Sequence, residues 1–286
     1  MNAQSVTPEL RQWIIEQAHA GCRPEDVLAA MCASGWAEDV ASTALESTLS
    51  DFLDQRAAQP QSLPEPEPVP VPEPDLAGFS GRLWAHDREV TVLVAMRQPR
   101  LVVFGGLLSD EECDAMVAVA APRMARSETV VYETGGNEVN PSRTSRGMFF
   151  GRGENALCSR VEARIAALLR WPVRNGEGLQ VLHYGPGAEY KPHHDYFDPA
   201  QPGMAAVLRR GGQRVASLVM YLNTPRRGGA TVFPDVALEI APIKGNAVFF
   251  SYDRPHELTR TLHGGAPVVE GDKWVATKWL REGEFI

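Results

Sequence analysis

Apolar residues recur at helical spacing in three short stretches near the N-terminus. Thr7-Pro8 offers a cap followed by a first helical position, and Leu10, Ile14, Ile15 and Ala18 then share one face. Gly21-Cys22 interrupts that pattern. A second helix is predicted from Pro24, with Val27, Leu28 and Met31 inward, ending at Gly35. A third is predicted over residues 37–57, with Val40, Leu45, Leu49, Phe52 and Leu53 in one stripe. From residue 100 onward the period shortens toward two. Leu101-Val102-Val103-Phe104 reads as an apolar strand. Ser109 caps a helix whose first turn carries Glu111 and Glu112, where the helix dipole favours acids. Residues 153–169 form another helix, with Leu157, Val161, Ile165 and Leu168 spaced for one face.

After that helix the pattern is almost all strand. Residues 179–184 end in the turn Gly185-Pro186-Gly187, and strands are predicted over 215–222, 230–233, 247–252 and 274–280. Such a run predicts a mainly β domain with supporting helices, a double-stranded β-helix or jelly roll that holds a site between two sheets. Residues 198–212, rich in Gly, Pro and Arg, read either as a mobile lid or as an ordinary surface loop.

A proline-rich segment separates the two patterns. Seven prolines, Pro60, Pro64, Pro66, Pro68, Pro70, Pro72 and Pro74, stand among Glu and Val within residues 60–74. This composition favours extended polyproline II and builds no core. At about 3.1 Å per residue the segment would act as a semi-rigid spacer of roughly 45 Å. A docking ligand for a partner is the other reading. The chain therefore divides into a small helical unit (1–57), a Pro-rich linker (58–78) and a large domain (79–286). The three short helices loosely resemble a ubiquitin-associated-type bundle. That resemblance implies a protein-interaction module with a protein partner. An appendage packed against the enzyme or a second copy is the alternative.

Composition narrows the function. The chain has 286 residues, 44% of them apolar, enough for one large packed domain and a small one. A net charge of −8 argues against nucleic-acid binding and against an anionic membrane surface. The four cysteines, Cys22, Cys32, Cys113 and Cys158, are widely spaced with no C-x-x-C, which suggests a reducing compartment. No apolar run reaches transmembrane length, and residues 1–5 lack the basic and apolar regions of a signal peptide. A soluble cytoplasmic enzyme of bacterial type is expected.

Candidate chemistry is concentrated in the last third. His193 and Asp195 stand one residue apart in Tyr190-Lys191-Pro192-His193-His194-Asp195-Tyr196-Phe197. His263 follows in Leu262-His263-Gly264-Gly265, and Lys273 in Gly271-Asp272-Lys273-Trp274. Two histidines and a carboxylate are the facial triad of non-haem Fe(II) oxygenases, which leaves positions open for a 2-oxo acid and O2. A lysine nearby can pair with the far carboxylate of that acid as a compact point charge. Among seven histidines, one His-x-Asp alone is a weak signal. Strand context strengthens it. Side chains two apart on a strand share a face, so His193 and Asp195 point together and His194 points away. His19, His86, His183 and His256 have no partner pattern and read as structural or solvated.

A longer string of motifs, in order, carries a family resemblance. It comprises Leu108-Ser109-Asp110-Glu111-Glu112-Cys113-Asp114, Ser142-Arg143-Thr144-Ser145-Arg146-Gly147-Met148-Phe149, Tyr184-Gly185 before the His-x-Asp, and Tyr221-Leu222-Asn223. Gly228-Gly229-Ala230-Thr231-Val232-Phe233-Pro234 and Pro242-Ile243-Lys244-Gly245-Asn246-Ala247 follow, and the distal His and Lys-Trp segments close it. Over residues 100–282 the chain resembles the prolyl 4-hydroxylase branch of the Fe(II)/2-oxoglutarate dioxygenases. The resemblance implies His193, Asp195 and His263 as iron ligands and Lys273 as the 2-oxoglutarate anchor. It implies Tyr184 and Thr231 as further partners of that cosubstrate, and Tyr190 and Trp279 as catalytic-site residues on the substrate or oxygen side. It further implies O2 as cosubstrate and ascorbate (vitamin C) as a supporting reductant. The expected reaction is hydroxylation of a proline-containing peptide or protein with decarboxylation of 2-oxoglutarate to succinate. A carboxylate ligand at Asp195 leaves no position for chloride and so favours hydroxylation over halogenation. Hydroxylation of a free amino acid or small molecule is a second expectation, and a non-catalytic interaction protein a third. Arg143 and Arg146 read either as guides for a peptide or as surface ion pairs. Residues 251–259 differ in length and polarity from the collagen-type enzymes, with Thr259 where those carry an acid, which leaves substrate preference open.

Overall fold

The computed structural model describes residues 6–19, 22–58, 66–78, 81–126, 129–130, 137–138 and 144–286. The chain forms two compact units, Met1–Glu65 and Pro66–Ile286. The first unit contains helices α1 (Pro8–His19), α2 (Pro24–Ala33) and α3 (Glu38–Ala58). Thr7 caps α1 by accepting from the Leu10 amide at 3.3 Å. Ile14, Val27, Met31, Ala41, Ala44 and Leu45 form the core. The inward stripe of α3 is thus set by Ala41 and Ala44 rather than by Val40, because small residues let the helices approach. The side chains of Phe52 and Leu53 lie outside the described residues.

The second unit begins with β1 (Arg82–Ala85), β2 (Arg88–Met96), β3 (Arg100–Gly105), α4 (Asp110–Ala120), β4 (Ala125–Arg126), β5 (Thr129–Val130), β6 (Asn137–Glu138), β7 (Arg146–Phe150) and α5 (Ala156–Leu169). It continues with β8 (Leu179–Tyr184), β9 (Tyr190–His193), α6 (Met204–Leu208), β10 (Arg214–Tyr221), β11 (Arg227–Gly228), β12 (Thr231–Phe233) and β13 (Leu238–Ile240). The last strands are β14 (Ala247–Ser251), β15 (His263–Gly265), β16 (Val268–Glu270) and β17 (Lys273–Arg281). A nine-stranded sheet runs in the order β1-β2-β3-β14-β10-β17-β8-β7-β4, and a four-stranded sheet in the order β13-β12-β15-β9. This is the expected double-stranded β-helix with supporting helices. The β1–β2 hairpin, which extends the large sheet, was not expected. Its second strand carries the apolar run Val92-Leu93-Val94-Ala95-Met96, yet most of its residues are exposed.

Strand periodicity builds the large sheet with two buried faces. On one face Val102, Phe104, Leu179, Val181, Ala216, Leu218, Met220, Phe249 and Ala276 pack with α4 and α5. On the other, Leu101, Val103, Leu182, Tyr184, Tyr221, Val248, Phe250 and Val275 pack with Phe233 and Ile240 of the small sheet. Ser109 and Glu112 close a capping box at the start of α4. Helix α5 begins later than its pattern suggested, because Asn155 is its cap and accepts from the Cys158 amide at 2.9 Å. Two charged residues of α5, Arg164 and Glu162, anchor it through ion pairs. Arg164 meets Glu112 at 2.7 Å and Asp87 at 2.8 Å, and Glu162 meets Lys278 of β17 at 2.5 Å. Residues 198–212 contain the single-turn helix α6, and Arg281 donates to Gly212 at 2.6 Å. None of the described helices is long and apolar enough to cross a membrane.

The segment expected as a free spacer over 58–78 is attached to the second unit from Pro66 onward. Proline lacks an N–H, but the alternating residues keep theirs. The Val69 amide donates to the Asp253 carbonyl at 2.8 Å and the Glu73 amide to Leu169 at 3.1 Å. Arg100 meets Glu73 at 2.6 Å. Pro72 and Pro74 are buried and Leu76 packs against the helix-side core. Two hydrogen bonds and these apolar contacts contribute about 1–2 kcal/mol. A chain beginning at Pro66 is therefore expected to melt about 2–8 °C above one beginning at Phe79, a range set by the size of this unit. Equal melting temperatures by calorimetry would show that the strap adds no stability.

Candidate active site

The site rests on the pairing of two short strands. Strands β9 and β15 run antiparallel, and His193 stands opposite His263 in the register. Their rings are 4.4 Å apart at 50°. Each histidine bonds its own backbone through Nδ1: His193 to the Lys191 carbonyl at 2.9 Å and His263 to the Thr261 carbonyl at 3.0 Å. A carbonyl only accepts, so Nδ1 carries the proton and Nε2 presents a lone pair. Asp195 lies just beyond the end of β9, not within a strand as period-two reasoning assumed, yet it reaches the same point. Its Oδ1 is 3.6 Å from His193 Nε2, and its Oδ2 is 3.5 Å from His263 Nε2. One ligand atom from each of the three residues can be chosen so that all lie within 4.8 Å of one another.

Burial tunes these groups. It pushes the His263 imidazole down to about 4, so the ring is neutral at pH 7. Burial alone would raise the Asp195 carboxyl, but His263, His193 and Arg214 together hold it well below the usual carboxylate range. Ser217 donates to Asp195 Oδ2 at 2.5 Å, and its oxygen lies 3.0 Å from the Tyr252 hydroxyl. Two imidazole nitrogens and an ionised carboxylate fit the ligand preferences of Fe(II).

The eight residues assigned to metal, cosubstrate and substrate from the sequence line one cleft: Tyr184, Tyr190, His193, Asp195, Thr231, His263, Lys273 and Trp279. Tyr190 stacks on His193 with ring centroids 3.7 Å apart. Lys273 opens β17 opposite Tyr184 of β8 and is 4% exposed. Its Nζ sits 5.7 Å from the Tyr184 ring and 5.8 Å from the Tyr221 ring. Among the described residues it has no carboxylate partner, and burial lowers its pKa to about 8. The other buried cations of β17 are engaged, Lys278 with Glu162 and Arg281 with Glu177 at 2.7 Å. Thr231 accepts from the Tyr221 hydroxyl at 2.8 Å. Trp279 is covered by the Arg214 guanidinium, 3.9 Å from its ring. Glycine is required around the cleft. A Cβ on Gly264 would lie 2.8 Å from the Tyr190 carbonyl, and one on Gly228 would lie 2.4 Å from that of Pro267.

The chain is similar to known proteins over this region. Residues 179–281 match the model of the 2OG-Fe(II) oxygenase superfamily. "Probable prolyl 4-hydroxylase 3" of Arabidopsis thaliana is 38% identical over 209 residues, covering 66% of this chain and 71% of that protein. "Prolyl 4-hydroxylase 5" of the same plant is 39% identical over 210 residues, covering 66% and 70%. The chain belongs to the prolyl 4-hydroxylase family of Fe(II)/2-oxoglutarate-dependent dioxygenases. The viral collagen prolyl hydroxylase of Paramecium Bursaria Chlorella virus-1, solved with 2-oxoglutarate, matches with a TM-score of 0.50 and 29% identity. That match covers 63% of this chain and 95% of the viral one.

For a dioxygenase of this family, some of the other sequence candidates have different environments. Arg146 donates to the Met124 carbonyl at 2.8 Å, and Arg143 lies outside the described residues. His194 stacks on Tyr196 with centroids 4.6 Å apart, facing away from the His193–His263 pair. His183 bonds Asp272 at 3.1 Å. Sequence reading missed Ser217, Tyr252 and the group of Arg214 with Glu177 and Arg281, and it quoted Tyr221 in a motif without giving it a role. For Ser217 the available signal was a serine inside the apolar run Val215-Ala216-Ser217-Leu218-Val219. The arginine–glutamate contacts join residues far apart in the chain and leave no local pattern.

Lys273 generates a stability prediction for the metal-free, cosubstrate-free protein. Its pKa falls from 10.5 to about 8 on folding. The cost of its buried charge is therefore full below pH 8 and is relieved as pH rises from 8 toward 10.5. A shift of this size corresponds to roughly 3 kcal/mol. Lys273→Met is expected to stabilise the protein at pH 7 by up to about that amount, with the gain fading by pH 10. Urea unfolding at both pH values checks this; a destabilised variant at pH 7 would overturn it.

Proposed function

We propose that this chain hydroxylates prolyl residues in a peptide or protein, with His193, Asp195 and His263 binding one Fe(II) and Lys273 receiving the distal carboxylate of 2-oxoglutarate. The observation that carries the reading is a buried cation without a carboxylate partner, in the same cleft as three converging metal donors. The names of the relatives, prolyl 4-hydroxylases, support the choice of substrate class. Bound Fe(II) and 2-oxoglutarate supply the oxidising chemistry, in which one atom of O2 enters succinate and the other the hydroxyl of the product. The protein's own part is positioning and charge. Ser217 holds one Asp195 oxygen and so orients the carboxylate. Lys273 regains a counter-charge when a carboxylate enters, which recovers the cost of its burial. Thr231 uses its oxygen to accept from Tyr221, which leaves its own proton to donate to that carboxylate. Tyr184, paired with Lys273 across β8 and β17, stands beside it in the cleft wall as a further contact for the cosubstrate. Tyr190 and Trp279 offer flat apolar surfaces on the metal side for a pyrrolidine ring. Ascorbate as a reductant, a reducing cytoplasmic compartment consistent with four free cysteines, and engagement of a protein partner by the N-terminal helices belong to the same proposal.

Metal titration under anaerobic conditions tests the first half. His193→Ala and His263→Ala are expected to lose Fe(II) binding and turnover, and Ser217→Ala to weaken metal affinity by about 10–100-fold. Full metal content with both histidines replaced would sink the assignment.

Cosubstrate and substrate are tested together. Lys273→Ala is expected to keep the metal and weaken 2-oxoglutarate binding, by calorimetry, by about 2–5 kcal/mol. Succinate release and oxygen incorporation are then followed with a panel of proline-containing peptides and with free amino acids. Turnover confined to free amino acids would replace the peptidyl reading by the small-molecule one.

A further inference from the structure

The enzyme carries its own proline-rich peptide. Pro66, Pro68, Pro70, Pro72 and Pro74 alternate with Glu and Val in an extended strap without helix or strand structure. The strap is held at two backbone points, Val69 to Asp253 and Glu73 to Leu169. Its prolines are not equivalent. Pro72 and Pro74 are buried against the second unit, while Pro68 and Pro70 are exposed on either side of Val69. No strap residue lines the cleft of His193, Asp195 and His263. In this conformation the prolines lie outside the metal site of their own chain. They are open to the site of a second copy.

We propose that Pro68 and Pro70 are hydroxylation sites of this enzyme, modified by another molecule of the same chain. The inference rests on the peptidyl-proline reading above and names a substrate for it. Proline fixes φ, so an alternating Pro segment is already extended and loses little conformational entropy on entering a cleft. The reaction balances as the family's chemistry does. One ring C–H of proline becomes C–OH with one atom of O2. The other atom enters succinate as 2-oxoglutarate loses CO2. No further reductant is consumed in that step.

The test mixes two full-length proteins. An isotopically heavy His193→Ala chain serves as the acceptor, since it keeps the strap and lacks a working site. Unlabelled wild-type protein, Fe(II), 2-oxoglutarate and ascorbate are added, with no peptide. Peptide-mapping mass spectrometry then reads residues 66–76 of each chain. The expected result is the gain of one oxygen at Pro68, Pro70 or both in the heavy chain, labelled when 18O2 is supplied. Its rate per acceptor should grow in proportion to the concentration of active enzyme. A Pro68→Ala/Pro70→Ala acceptor should lose the gain while the doubly substituted active enzyme still turns over unrelated proline peptides. Oxygen found only in the active chain would place the reaction within one molecule and overturn the proposal. No oxygen in either chain, while unrelated proline peptides are hydroxylated, would overturn it and leave the peptidyl-proline reading intact. If no proline peptide is hydroxylated at all, both fall together.

Discussion

The site depends on one antiparallel register. Strands β9 and β15 must pair so that His193 faces His263. A slip of one residue in either strand would turn its histidine to the opposite face and disperse the donor set. A close backbone approach favours this register, and a local bond orients each ring. Gly264 leaves room for the Tyr190 carbonyl to approach, where any Cβ would collide. Each histidine is also clamped through Nδ1 to a carbonyl two residues before it. The same local bond recurs on both strands, so ring orientation and tautomer are settled by backbone geometry rather than by distant packing. Asp195 then needs only to reach the gap between two Nε2 atoms, and Ser217 of the facing sheet fixes it there.

Buried charge separates architecture from chemistry in this fold. Arg164, Lys278 and Arg281 are buried and Arg214 is largely covered, and each meets a carboxylate at 2.8 Å or less. They tie helices to sheet and β10 to β17. Removing one partner from such a pair leaves an uncompensated charge, so these groups are structural. Lys273 is equally buried and has no such partner among the described residues. A cation kept in that condition costs stability in the ligand-free state. Its position in the cleft, opposite Tyr184 and beside Tyr221, makes an anionic ligand the natural compensation. The contrast between Lys278 and Lys273, five residues apart on one strand, follows from period two. Lys278 faces α5 and Glu162, whereas Lys273 faces the cleft.

The strap shows the same physics applied to the backbone. A proline-rich segment cannot contribute a full ladder of hydrogen bonds, but alternation leaves a free amide at every second position. Two of those amides are used, and two proline rings fill apolar surface. Composition alone suggested a spacer because it reports what the segment cannot do by itself. It does not report what an adjacent surface offers.

The sequence by itself determined the fold class and the chemical inventory. Period-two apolar runs and a capped helix at Ser109 are local signals, and so is the string of motifs around His193, His263 and Lys273. Steric alternation and capping act within a few residues, which is why these features were legible. Asp195 was found for a partly mistaken reason, since it lies past the strand end and converges through the bend that follows. Tertiary structure alone decided the rest. It placed Ser217 and Tyr252 behind Asp195 and Tyr221 behind Thr231, and it wrapped Glu177 with Arg214 and Arg281. It also laid Pro66–Leu76 on the second unit and left Lys273 without a counter-charge. These are contacts between elements distant in the chain. Their energies come from desolvation and pairing in a packed interior, and a single sequence holds no local pattern for either.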